Sequence, residues 1–176
     1  MTRSLLSIIV ATVLAACASS ATQTGTHTNR VIDTNAGARV AEDVPLTSET
    51  TVNASPDSTL AALDAAYTEL GIEVKLRDSK TGEIGNRKFS KVNSLAGQPL
   101  SSYVGCGWTS VGPAADNYRI TMSLVSRVTA SGTGSSVETR LTAFGEDISS
   151  KGTVACATRG RLERRVHELA LKRLGG

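Results

Sequence analysis

From about Leu46 onward, apolar positions follow two periods, and the switches between them mark the elements. Leu46 to Asn53 (LTSETTVN) is Thr-rich and predicts a strand. Ser55-Pro56 predicts a helix start, with Ser as N-cap, Pro at the first helical position and Asp57 in the first turn. Leu60, Leu63, Tyr67 and Leu70 then recur at helical spacing, and Gly71 ends the run as a left-handed cap. Ile72, Val74 and Leu76 alternate with Glu73, Lys75 and Arg77, as in a half-buried strand. Asp78 to Gly82 predicts a hairpin loop and Glu83 to Val92 the return strand. Ile84 and Phe89 have opposite parity, which a bulge at Gly85 would reconcile.

Residues 93 to 117 carry four Gly and two Pro and read as a long connection, with a short helical turn over Pro99 to Val104. The clearest hairpin follows. Tyr118, Ile120, Met122, Leu124, Val128 and Ala130 share one face; Ser131 to Ser135 is the turn; Val137, Leu141 and Ala143 alternate on the return. A last helix is expected from about Thr158, with Leu162, Val166, Leu169, Ala170 and Leu174 facing the core. Glu168–Lys172 and Arg164–Glu168 are its expected i,i+4 pairs. Strands with one polar face need a layer on the other, so the fold expected is α+β: a two-layer sandwich, an antiparallel sheet with two helices on one face.

The N-terminus changes the picture. Arg3 precedes a short apolar run, Leu5 to Leu14, too short for a spanning helix. Leu14-Ala15-Ala16-Cys17 resembles a bacterial lipobox, where a lipoprotein precursor is acylated on Cys and cut before it. That resemblance implies a signal peptide over 1–16, a lipid on Cys17 and attachment to a membrane. Ala18, not Asp, after the Cys implies the outer membrane, facing the periplasm. Residues 17–45, rich in Ala, Thr, Ser, Asn and Gly, read as a flexible tether reaching roughly 30 Å, and 46–176 as a single domain. The element order also resembles a helix-grip domain, as found in the lipoprotein subunit of the outer-membrane β-barrel assembly machinery. Only the lipobox and the element order carry this likeness, so no residue role beyond Cys17 transfers with it.

Of three Cys, setting Cys17 aside leaves Cys106 and Cys156, an even pair that predicts one disulfide in an oxidising compartment. A catalytic thiol at Cys106 would need a base. The chain has only two His, His27 in the tether and His167 in the last helix. Aromatic residues make up 3% of the chain, which leaves few stacking platforms and argues against single-stranded nucleic acid as a partner. The formal net charge is +3, and the surplus is local to the last helix and its approach, with Arg159, Arg161, Arg164, Arg165, Lys172 and Arg173. Thr158-Arg159-Gly160-Arg161 would open that helix with cations against its dipole, a candidate anion-binding site. Gly132-Thr133-Gly134 lies between strands, not before a helix, and is no phosphate cradle. No metal-ligand set, nucleophile elbow or catalytic carboxylate pair is legible, and no cofactor is expected. The function expected is a non-catalytic, lipid-anchored envelope module that contacts an envelope protein or anionic lipid. The alternative is a small apolar ligand held between sheet and helices.

Overall fold

The structure is a computed structural model that describes residues 47–175. The lipobox, Cys17, the tether over 17–45 and Leu46 lie outside the described residues. Seven strands form one antiparallel sheet: β1 (Thr47–Val52), β2 (Leu76–Asp78), β3 (Glu83–Val92), β4 (Val104–Gly105), β5 (Arg119–Ser131), β6 (Gly134–Glu146) and β7 (Thr153–Thr158). The helices are α1 (Pro56–Glu69), a four-residue α2 (Ala114–Asn117) and α3 (Arg161–Arg173). The spatial order is β2-β3-β5-β6-β7-β4. The far edge of β6 is shared. β1 pairs with its first half, Val52↔Ser135 to Thr47↔Arg140, and β7 with its second, Ala143↔Cys156 to Glu146↔Thr153. Helices α1 and α3 pack on each other and on one face of this sheet, giving the expected two-layer α+β sandwich.

Local chemistry explains the elements. Ser55 caps α1, its hydroxyl accepting from the Ser58 amide at 3.3 Å, with Pro56 at the first turn. Gly71 takes the left-handed conformation after Leu70, and Ile72 N–H returns to the Tyr67 carbonyl at 3.0 Å. The inward positions of β5 and β6 alternate with outward polar ones; Ile120, Met122, Leu124, Val137 and Leu141 are all buried. Across the gap, Leu60, Leu63, Ala66 and Tyr67 of α1 and Leu162, Val166, Leu169 and Ala170 of α3 complete one core.

Five expectations need correction. The strand expected over 72–77 is paired only from Leu76, because the Asn86 side-chain amide donates to the Glu73 carbonyl at 2.7 Å where a ladder bond would be. The bulge falls between Asn86 and Phe89, not at Gly85. Strand β7 lies where no element was expected, since TVACAT offers only small residues and no full alternation. That strand holds Thr158, so α3 starts at Arg161, three residues later than expected. The pairs expected in α3 are replaced by Arg165–Glu168 at 3.3 Å, an i,i+3 pair.

Cys106 and Cys156 are joined, with their Cα atoms 4.3 Å apart and 50 positions apart in sequence. The bond pins the long connection to β7 beside the β4 ladder, where Gly105 lies opposite Ala157. The connection itself is built of a turn at Leu100–Ser102 and two short ladders, Ser94–Leu95 with Gln98–Pro99 and Trp108–Thr109 with Gly112–Pro113.

Candidate functional site

The sheet–helix interface contains a line of polar side chains. Ser126 and Thr139 face each other on β5 and β6, and Ser48 lies opposite Thr139 on β1. Strand parity points Ser126 and Thr139 into the core, where both are fully buried. Tyr67 reaches down from α1 and its hydroxyl lies 3.0 Å from Ser126 Oγ. Ser126 Oγ lies 2.7 Å from Thr139 Oγ1, and Thr139 Oγ1 lies 2.7 Å from His167 Nε2 on α3. The other ring nitrogen, Nδ1, meets Thr50 Oγ1 at 2.8 Å and Ser48 Oγ at 3.4 Å. One proton order satisfies every member: Tyr67 donates to Ser126, Ser126 to Thr139, Thr139 to Nε2, and Nδ1–H donates to Thr50. It requires a neutral imidazole. Burial of His167 disfavours the cation and brings its pKa down to about 4. Burial also pushes the Tyr67 hydroxyl well above its ordinary value.

Glu163, one turn before His167, is buried too. Its Oε1 accepts from the Thr158 hydroxyl at 2.7 Å, while Oε2 is buried with no hydrogen-bond partner. Burial pushes its carboxyl pKa up, and the Thr158 bond only partly opposes this. The structure thus answers the sequence-predicted anion residues in a specific way. Thr158 ends β7, its hydroxyl taken by Glu163 and by the Gly160 amide at 3.0 Å. Gly160 is the left-handed N-cap of α3. Arg159 donates its backbone N–H to Tyr103 O at 2.8 Å, and its guanidinium passes close to Gly105. The negative group at this helix start is therefore the chain's own Glu163. Of the four residues, only Arg161 lines the charged groove beside α3.

That groove, of about 570 Å³, runs between the end of α1, the 96–103 loop and the outer face of α3. Arg161, Arg164 and Arg165 line it together with the Tyr103 ring, Glu69 and Glu168. Glu69 pairs with Arg173 at 2.9 Å and Glu168 with Arg165 at 3.3 Å, while Arg161 and Arg164 make no ion pair among the described residues. Like charges at i,i+3 and i,i+4 each cost about 0.2–0.5 kcal/mol, and cations in a first turn oppose the helix dipole. Stability does not select this arrangement.

A second surface feature sits at the β7 end of the sheet. Trp108 is 81% exposed, Val111 76%, Phe144 56% and Ile148 44%. Phe144 pairs with Ala155 on β7, Ile148 lies in the β6–β7 loop, and the Trp108 hairpin is rooted beside β7 by the Cys106–Cys156 bond. The hairpin is held by Thr109 Oγ1 donating to Gly112 O at 2.9 Å and Ala114 N–H donating to Gly107 O at 3.0 Å. By contrast, the space between sheet and helices is filled by Tyr67, Leu63, Ile84, Met122, Leu124 and Val166. The grooves of about 390, 570 and 590 Å³ lie on the surface and are lined largely by charged residues.

Among the described residues, no three His, Cys, Asp or Glu side chains converge to hold a metal, and no helix is long and apolar enough to cross a membrane. No protein-family model, curated protein or solved structure matches the chain. Sequence reasoning missed the buried polar line, yet it left a trace. Glu163 and His167 fall within the apolar stripe of the last helix, and Ser126 and Thr139 fall on the inward parity of their strands.

Proposed function

We propose that this chain is a non-catalytic, lipid-anchored module of the bacterial cell envelope whose folded domain docks on another envelope protein. Cys17 carries the lipid in this reading, at the outer membrane facing the periplasm. The observation that carries the docking role is the Trp108–Pro113 hairpin, which leaves Trp108 and Val111 exposed and is rooted at β7 by the Cys106–Cys156 bond. Large apolar side chains exposed together on one hairpin mark a contact site, and Trp is among the residues enriched at binding hot spots. Pre-organisation by the disulfide lowers the entropic cost of docking. Two features support the non-catalytic part: His167 and Glu163 are sealed below the helices, and their hydrogen bonds are structural. A helix-grip pocket for a small apolar ligand is the weaker reading, because core side chains occupy the space it would need.

The test places a photo-crosslinking side chain at position 108 or at position 80, in the turn between β2 and β3 at the other end of the sheet. Irradiation of intact cells should give one discrete protein adduct from position 108, none from position 80, and a reduced yield when Val111→Arg is added. Identical adducts from both positions would overturn the reading. So would adducts to lipid alone, which would assign the patch to the membrane surface.

A further inference from the structure

We infer that the groove between the end of α1, the 96–103 loop and α3 is a binding site for a phosphate-bearing small molecule, with Arg161 and Arg164 as its principal ligands. Three guanidinium groups, Arg161, Arg164 and Arg165, project from neighbouring turns of one helix face into the same groove. Of the two carboxylates in the lining, Glu69 is paired with Arg173 outside the groove, and Glu168 neutralises only Arg165. Arg161 and Arg164 have no such partner among the described residues, so their planar donor forks are available. Two guanidinium forks on one helix face, with a third close by, suit a tetrahedral phosphate, whose oxygens can be shared among them, better than a planar carboxylate with two.

The rest of the groove gives the ligand a second character. Leu70, Leu169 and Ala96 line it beside the Tyr103 ring, so an apolar edge next to the phosphate finds apolar contact. At about 570 Å³ the groove exceeds the needs of an inorganic ion and suits a phosphoglycerol-sized molecule. The Tyr103 phenol is close enough to Arg161 and Arg165 for their charges to act on it, which ties the loop to the cationic helix face. That loop is itself fixed, with Tyr103 O accepting from the Arg159 amide at 2.8 Å. A phosphoglycerol group has two sources at a membrane-anchored protein, a phospholipid headgroup and a free phosphate ester. The recognition chemistry is the same for both. The groove shares no residue with the Trp108 end, so each site is tested without the other.

The full chain in zwitterionic micelles is titrated with glycerol 3-phosphate and, separately, with micelle-soluble dihexanoyl phosphatidylglycerol, following the Arg Nε–H resonances. Arg161 and Arg164 should shift with at least one probe. Arg161→Gln with Arg164→Gln should weaken that binding at least tenfold. Lys80→Gln with Lys88→Gln, the same change of charge on the other side of the molecule, should leave it within twofold. Binding of glycerol 3-phosphate points to a free ester; binding of the lipid alone points to a headgroup. The site is overturned if neither probe binds, or if the lysine double variant loses as much as the arginine one. Succinate binding as tightly as the phosphate probe overturns the phosphate assignment. A melting temperature no lower than the parent's confirms that the arginine variant is folded, as expected when like charges on the outer face of α3 are removed.

Discussion

Acidification should unfold this domain through His167. In the unfolded chain an imidazole titrates near 6.5, whereas in the fold His167 titrates near 4. The folded value is the lower one, so the unfolded state takes up the proton first as pH falls. The stability is fully present above pH 6.5 and is lost between 6.5 and 4. With 1.36 kcal/mol per pH unit, the loss is about 2 kcal/mol at pH 5 and about 3 kcal/mol at pH 4. The structural cause is specific. An imidazolium must donate from both nitrogens, so Thr139 would have to accept from Nε2 and turn its own proton towards Ser126. The reversal runs up the line and leaves the buried Tyr67 O–H without an acceptor. At roughly 4 °C per kcal/mol for a domain of this size, the melting temperature should fall by about 8 °C between pH 7 and pH 5. His167→Gln, whose amide does not titrate, is the control. Asp78, Glu83 and Asp147 have carboxyls held below their ordinary values, so they contribute an acid slope to both proteins that cancels in the difference. Melting curves in steps from pH 7.5 to 4 decide the matter. Equal slopes for the two proteins between pH 6.5 and 5 would refute the reasoning.

Three further outcomes follow from the same structure. Glu163→Gln removes a buried carboxyl whose pKa is raised, a burden that grows as pH climbs through and above 4.5; the variant should therefore gain on the order of 1 kcal/mol over the parent at pH 7 to 8 and nothing near pH 4, read by urea denaturation. Cys106→Ser opens a bond between residues 50 apart in sequence, and chain entropy sets the loss at roughly 4 kcal/mol, to be read as a lower urea midpoint and as earlier protease cleavage within residues 93–117. Mass spectrometry of the mature N-terminus should find acylated Cys17; an unmodified Cys17, or cleavage at another residue, would remove the anchor.

The layered architecture was legible because its strongest signals are periodic. The Ser55-Pro56 start, the Leu60–Leu70 stripe and the long β5–β6 hairpin each repeat one spacing over many residues. What escaped is what breaks period or lacks bulk. Strand β7 is built from Thr, Val, Ala and Cys, and its side chains carry no contrast between faces. Its place in the sheet comes from pairing with the end of β6 and from the bond to Cys106. Missing it moved the start of α3 by three residues and made Thr158 look like part of a helix opening. The polar core was hidden for another reason: Ser126, Thr139 and His167 read as ordinary polar residues until three strands and two helices bring them together. The Arg groove was half visible. The charges were on the page, but Tyr103 and the 96–103 loop opposite them come from a connection with no period of its own.

Strand β6 has one further consequence, which concerns timing. Its free edge holds β1, the first strand of the described fold, while His167, 117 residues after Thr50, holds that strand from above. The β5–β6 hairpin closes locally through Gly132 and Thr133, but β1 cannot be locked until α3, the last helix of the described residues, has docked. The first strand and the last helix of the described fold therefore complete each other, and the sheet edge at β1 stays open to pairing errors until both are in place.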